Sequence, residues 1–432
     1  IFFFALLLSA AVPSSGDYLK FPLVHTTPYP PSPSEALAAD NRRLSDLSKR
    51  SHPRLPVISA ASSGSGQYLV TLHLGSPPQR LFLVADTGSD LTWVSCSACS
   101  RQCSGRAAAG FFPRRSSSFS PYHCFDSECS VVPRPKQAAR CNHTRLHSAC
   151  RYEYSYSDGS VTRGFFSHET MEFNTSAGKL ERFSHLSFGC GFSNIPGPNL
   201  NGPNGVLGLG RGPISFFTQM GQVFGHKFSY CLKDYTLSPP PTSYLLIGGG
   251  SSVVTEQRLS YTKLLTNPLS PTFYYVKIDG VIVNGVKLPI SPSVWSIDEL
   301  GNGGTVLDSG TTLTYLAPPA YREILAAFQR LVEPPGSARR SSGFDFCLNT
   351  TSGSGATLPR LSFELDGGSD YSPPPRNYFI DTPEGVTCLA VRPVTSAAGF
   401  SVIGNLMQQG FTFEFDRDLG RVGYTRSGCG AP

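Results

Sequence analysis

The sequence predicts an all-β protein with minor helix, built as two similar halves. Three observations carry that prediction. The 432 residues include 43 Gly, 36 Pro, 29 Phe and 18 Tyr, only 15% are charged, and helical periodicity is scarce, a mixture that favours strands and turns. An apolar strand runs into an acid, a hydroxyl and a glycine twice, at Leu83-Val84-Ala85-Asp86-Thr87-Gly88-Ser89 and at Gly304-Thr305-Val306-Leu307-Asp308-Ser309-Gly310-Thr311. The Asp-Ser/Thr-Gly pattern is expected by chance about 0.2 times at average composition, so two copies in opposite halves indicate an internal repeat with one acid per half. Each copy is followed at a comparable distance by an apolar segment punctuated with glycine, Gly205-Val206-Leu207-Gly208-Leu209-Gly210 and Ser401-Val402-Ile403-Gly404-Asn405-Leu406.

The elements follow in chain order. Ile1 to Val12 has the length of a signal-peptide core and is too short to span a bilayer. Residues 1–17 are therefore expected to be a signal peptide with a truncated start, since no initiator Met or basic stretch precedes the run. No later run has the length of a membrane span, and the last residues carry neither a hydrophobic lipid-anchor tail nor a retention signal. Residues 18–62 read as a removable pro-segment. It is proline-rich from His25 to Ser34 and helical in character from Ser34 to Lys49, with Leu37, Leu44 and Leu47 on one side and Arg42, Arg43, Lys49 and Arg50 among its charges. Ser62 to Gly66 looks like an exposed join where processing would occur.

Gln67 to Gly75 alternates as a strand, and Arg80 to Ala85 forms the next, leading into Asp86. A carboxylate there ends a buried strand, so the fold must hold its charge or share its proton. Gly88 lets the chain turn sharply beneath it. Cys96 to Cys150 lacks periodicity and is expected to be a loop held by disulfides. Cys96-x2-Cys99-x3-Cys103 could in isolation suggest zinc or a redox pair. Twelve cysteines behind a secretion signal, seven of them between 96 and 150, favour disulfides. Sequons at Asn142, Asn174 and Asn349 agree with that compartment.

Tyr152, Tyr154 and Tyr156 alternate on one face of a strand, Asp158-Gly159 supplies a turn, and Val161 to Phe166 returns. Alone this is a surface hairpin with an aromatic face; above two buried acids it would serve as a lid that excludes water. Gly248-Gly249-Gly250 marks the expected boundary between lobes at 63–250 and 251–432. Pro318 to Val332 is the clearest helix, with Tyr321, Ile324, Leu325, Phe328 and Leu331 on its core face. The formal charge of +6 is spread without a dense basic run, which argues against a nucleic-acid partner.

Two carboxylates about 3 Å apart cannot both ionise easily and share a proton. One can then take a proton from a bound water while the other gives one to a carbonyl oxygen, which is general acid–base hydrolysis without a covalent intermediate. Thr87 and Ser309 are placed to bond across the axis between halves. Ser89 and Thr311 are placed to bond the outer carboxylate oxygens.

At these residues the chain resembles the pepsin-type aspartic proteases, and most nearly their plant nepenthesin-like branch. The resemblance rests on Asp86-Thr87-Gly88-Ser89, Asp308-Ser309-Gly310-Thr311, both glycine-punctuated segments, and the run from Ile403-Gly404-Asn405 through Gly423-Tyr424. Phe188-Gly189-Cys190-Gly191, Phe228-Ser229-Tyr230-Cys231-Leu232 and the cysteine-rich insert point to the plant branch. It implies a bilobal acid-protease fold with pseudo-twofold symmetry and a cleft between lobes. It further implies that Asp86 and Asp308 are the catalytic pair and Tyr156 the flap tyrosine, held by the Trp93 indole. Ser157, Asp158, Gly88 and Gly310 would then flank the substrate. The family pairing of cysteines would be Cys96–Cys99, Cys103–Cys190, Cys124–Cys150, Cys129–Cys141, Cys231–Cys429 and Cys347–Cys388, which spacing alone does not select. Expected with it are an apolar cleft, acidic working pH, protein or peptide substrates, no cofactor or metal, a monomer, and secretion to the cell exterior or wall, with vacuole or plastid as other destinations.

Two departures stand out. The flap usually reads Tyr-Gly-Asp-Gly, and Ser157 in place of glycine costs on the order of 1 kcal/mol if that position needs a left-handed backbone. The basic balance is the second, since many acid-active relatives lack it. Two other functions compete. An inactive binding protein on the same scaffold, like the plant inhibitors of wall glycosidases, typically loses one Asp turn or the flap tyrosine, and this chain keeps all three. An aspartyl-phosphate enzyme would want further carboxylates and a phosphate-binding lysine, which are not seen near Asp308.

Overall fold

The computed structural model describes residues 18–25, 37, 40, 67–97, 110–135, 141, 148–155, 161–175, 178–195, 203–234, 241–248, 259–332, 339–341, 343–349, 358–382, 385–395 and 399–426. Strands dominate them. Tyr68–Leu74 alternates buried and accessible residues as its sequence does, and pairs antiparallel with Gln79–Asp86. The second strand loses that alternation at its end, where Leu83 to Asp86 are buried on both faces, because the end lies inside the molecule.

The internal repeat is visible in the strand register. Gln79–Asp86 runs parallel to Gly205–Gly208, with Asp86 opposite Gly208. Thr305–Leu307 runs parallel to Ser401–Ile403, with Leu307 opposite Ile403. Each glycine-punctuated strand is also crossed antiparallel by a strand that follows the Asp turn, Trp93 opposite Val206 and Tyr315 opposite Val402. The glycines are required by close approach. A Cβ on Gly208 would collide with the Asp90 carbonyl, and one on Gly404 with the Leu313 carbonyl.

One sheet joins the halves. Lys227–Cys231 pairs antiparallel with Thr412–Asp416 across the molecular centre. On one side the sheet continues through Ser243–Gly248 to Tyr18–His25 and then Tyr68–Leu74. On the other it continues through Arg421–Thr425 to Ser260–Leu265. Leu19, Phe21 and Leu23 of the expected pro-segment therefore enter the main core.

The helix expected from 318 to 332 spans Pro318–Arg330 with Pro in its first turn. Ala320, Tyr321, Ile324, Ala327 and Phe328 are buried. Leu325 is only half-buried, and Leu331 is 43% exposed because it lies past the last turn. A second helix, Phe216–Phe224, is capped by Ser215, whose side chain accepts from the Thr218 N–H.

The disulfides correct the expected pairing. Cys96 bonds Cys190, not Cys99, and Cys190 is thereby not the partner of Cys103. The parallel register sets Val94 beside Cys190, which leaves Cys96 within reach. Cys124 bonds Cys141 and Cys129 bonds Cys150, the reverse of the expected Cys124–Cys150 and Cys129–Cys141. Burial explains the exchange: Cys129 and Cys150 are both enclosed in one apolar cluster, whereas Cys124 and Cys141 lie nearer the surface. Cys347 and Cys388 stand opposite each other in neighbouring strands and are bonded, as expected. Cys231 is disulfide-bonded, while Cys99, Cys103 and Cys429 lie outside the described residues.

Candidate active site

The ends of two parallel strand pairs bring Asp86 and Asp308 to one buried place. Asp86 is fully buried and Asp308 is 2% exposed. The Leu209 N–H donates to the Asp86 carbonyl (2.9 Å), and the Asp308 N–H donates to the Ile403 carbonyl (3.1 Å). Each carboxyl is then held by the same two kinds of donor. Gly88 N–H reaches Asp86 Oδ1 at 3.0 Å and the Ser89 hydroxyl reaches Oδ2 at 2.6 Å. Gly310 N–H reaches Asp308 Oδ1 at 2.9 Å and the Thr311 hydroxyl reaches Oδ2 at 2.8 Å.

The two turns are stitched together by the residues between. Thr87 N–H donates to Ser309 Oγ (3.1 Å), and Ser309 N–H donates to Thr87 Oγ1 (2.9 Å). The Ser309 hydroxyl donates onward to the Ala85 carbonyl (3.0 Å). All of these groups are buried, so each bond also prevents an unpaired polar atom in the core. Two carboxyls held in this way can work as acid and base on one bound molecule.

Trp93 is 2% exposed and packs in a cluster with Val84, Leu91, Tyr152, Tyr154, Phe166 and Val206. Tyr152 and Tyr154 lie on the inner face of Arg151–Ser155, which pairs with Val161–Asn174 in register Ser155 to Val161. Burial raises the Tyr154 phenol well above its ordinary range. Asp90 and Asp86 add to the rise, and the backbone amides of Asp90 and Leu91 oppose it. Tyr156, Ser157 and Asp158, expected at the tip of this hairpin, lie outside the described residues.

Three contributors were not singled out as site residues from the sequence. Asn405 donates from Nδ2 to the Ser309 carbonyl (3.0 Å) and from its backbone to Thr311 (2.7 Å), bracing the second turn; the Ile403-Gly404-Asn405 run was its available signal. Asp40 is fully buried and accepts from the Thr312 N–H (3.1 Å) and the Leu313 N–H (2.5 Å), on the loop leaving Asp308. Asp90 accepts from residues far along the chain, and its only sequence signal was being a second acid after Asp86.

Asn174 and Asn349 are exposed, and Asn142 lies outside the described residues. Among the described residues, His123, Cys124 and Cys141 come close enough together to suggest a metal site. The two sulfurs form a disulfide, so they are not the thiolates that a metal would want.

Residues 68–249 match the family described as "Xylanase inhibitor N-terminal", and residues 273–426 match "Xylanase inhibitor C-terminal". Aspartyl protease family protein 2 of Arabidopsis thaliana is 37% identical over 86% of this chain and 73% of its own length. Aspartic proteinase nepenthesin-1 of Nepenthes gracilis is 35% identical over 92% of this chain and 86% of its own. Among solved structures, edgp superposes with a TM-score of 0.71 at 21% identity, covering 96% of this chain and 98% of that one. Basic 7S globulin from soybean superposes with a TM-score of 0.67 at 18% identity, covering 95% and 97%. These last two likenesses establish the fold.

Proposed function

The chain belongs to the pepsin-like aspartic proteases of plants and is an aspartic-type endopeptidase, and on that premise we propose that Asp86 and Asp308 are its catalytic pair, working at acidic pH. The observation that carries the assignment is the matched geometry of the two turns. Each carboxyl accepts from a glycine N–H and a hydroxyl, and reciprocal Thr87–Ser309 bonds lock the turns to each other. An ionised member takes a proton from a water bound between the pair as that water's oxygen attacks the peptide carbon. The protonated member gives its proton to the carbonyl oxygen. Collapse of the tetrahedral adduct then breaks the C–N bond, and the nitrogen leaves with a proton returned from the pair. Thr87, Ser309, Ser89 and Thr311 keep both carboxyls oriented through these steps, while Trp93 supports a flap carrying Tyr156. Apolar residues flanking the cut are the expected preference.

Residues 18–62 are proposed to be a pro-segment, following a signal peptide at 1–17, with lobes at 63–250 and 251–432. Asp40 supports that reading by occupying two backbone amides beside the Asp308 turn. Disulfides support passage through an oxidising compartment. No helix among the described residues is long and apolar enough to cross a membrane. The proposed product is a secreted monomer.

A second reading is favoured by the matched family description, which names inhibitors: a binding protein on this scaffold without turnover. Incubation of the processed protein with a denatured protein at acid pH separates the two. Cleavage blocked by pepstatin and abolished by Asp86→Asn is expected. No cleavage at any pH, with the fold intact, would establish the binding reading.

A further inference from the structure

We propose that Asp90 is a positioning residue for the catalytic pair: its buried carboxylate ties the Asp86 turn to the second half of the molecule and places one additional acid beside Asp86. The inference rests on the assignment of Asp86 and Asp308 made above.

Asp90 follows Asp86 by four residues and is 5% exposed. Its Oδ1 accepts from the Gly212 N–H (2.8 Å), and its Oδ2 accepts from the Thr272 hydroxyl (2.8 Å). Thr272 belongs to the second half, 182 residues away. The fold has made room for this carboxylate. A side chain on Gly210 or Gly212 would occupy the position of its oxygens, which accounts for the run Gly208-Leu209-Gly210-Arg211-Gly212.

That run is a bracket between the halves. On one side Leu209 and Gly210 donate backbone bonds to Asp86 (2.9 Å) and Ser89 (2.8 Å). On the other, Arg211 N–H donates to the Thr272 carbonyl (3.0 Å), Arg211 Nη1 to the Leu265 carbonyl (2.8 Å), and the Tyr274 hydroxyl to the Leu209 carbonyl (2.6 Å). Asp90 closes the bracket by holding Gly212 and Thr272 together. Without it a half-buried amide and a buried hydroxyl lose their acceptor, and the turn carrying Asp86 loses its tie to the half carrying Asp308.

The arrangement is one-sided, because the residue four positions after Asp308 is Thr312. The titratable and charged groups facing Asp90 are Asp86 on its own loop, Tyr154 from Arg151–Ser155, Tyr274 from Tyr274–Val276, and Arg417 beyond Thr412–Asp416. Burial holds the Asp90 carboxyl above its usual range; the Gly212 and Thr272 bonds and Arg417 oppose this, and Asp86 adds to it.

The test compares kcat and KM against pH for the processed protein, Asp90→Asn, Asp90→Ala, Thr272→Val and Asp86→Asn on a fluorogenic peptide, with thermal unfolding recorded for each. Asn keeps an acceptor for Gly212 and a partner for Thr272 but carries no charge. Asp90→Asn, which keeps both partners, is expected to remain folded and to hold kcat within about threefold of the parent protein. Asp90→Ala is expected to lose roughly tenfold or more in kcat at its own optimum, with KM altered less, and Asn to restore most of that loss. Thr272→Val, which retains the charge, is expected to lower kcat about threefold. An Asp90→Asn that folds but loses roughly tenfold or more in kcat, or wild-type kcat in Asp90→Ala or Thr272→Val while Asp86→Asn is dead, overturns the inference alone. Should Asp90→Ala fail to fold, the Asn and Thr272→Val results decide by the same criteria. Activity surviving Asp86→Asn overturns the catalytic assignment instead, and this inference with it.

Discussion

Thr87 and Ser309 exchange bonds across a separation of 222 residues, yet both were readable, because each sits beside an acid and a glycine in a short local pattern. Asp90 was equally visible as a letter and its use was not. What it does depends on Gly212 and Thr272, which no periodicity brings together with it. Its burial has a consequence for stability. The Asp90 carboxyl is raised above its ordinary range by desolvation, so the folded state prefers it protonated. The stability it contributes is fully present below the unfolded value near 4 and is lost as pH rises through the folded value. Replacement by Asn removes a group that must be charged inside the protein. The difference in Tm, Asp90→Asn minus wild type, is therefore expected to grow as pH rises from about 4 to 7. A difference that stays constant over that range would mean that Asp90 does not titrate with this sign.

The paired strands were legible where alternation met turn residues, as in Tyr68–Leu74 and the hairpin of Arg151–Ser155 with Val161–Asn174. Elements whose partners come from distant segments were not. Tyr18–His25 alternates, burying Leu19, Phe21 and Leu23, but its pairing with Ser243–Gly248 could not be read from either strand. Disulfide pairing failed for the same reason, since Cys96 meets Cys190 through a parallel register set by whole strands. Asp40 belongs to this scale, because it joins the segment expected to leave with a loop that stays. Its two oxygens take the amides of Thr312 and Leu313, and a carboxamide offers one acceptor where the carboxylate offers two. Asp40→Asn in the precursor is expected to free that loop. Proteolytic activity should then appear about tenfold faster after a given drop in pH, since bonds to a charged group are worth about 1.5–3 kcal/mol. Activation at the wild-type rate would show that these two bonds do not hold the segment in place.

The two halves meet at a packed aromatic layer along the sheet that joins them, and that layer continues to the Asp86 turn. Phe228 and Phe415 stand opposite each other in Lys227–Cys231 and Thr412–Asp416, their rings stacked with centroids 4.6 Å apart. Tyr274 packs edge-on against Phe415, also at 4.6 Å, and its hydroxyl bonds the Leu209 carbonyl. Leu209 in turn donates its N–H to Asp86. Strain at the joint thus has a short covalent and hydrogen-bonded route to the pair, and neither half completes its core alone. Phe415→Ala is expected to destabilise the whole molecule by about 3–5 kcal/mol, the usual cost of emptying a buried aromatic site. Because the layer belongs to both halves, one unfolding transition should move as a unit, and kcat should fall although Phe415 lies outside the two Asp turns. Calorimetry with activity measured on the same samples checks both parts. Two separate wild-type transitions, of which only one moves in Phe415→Ala, would show that the halves fold independently and that the joint merely connects them.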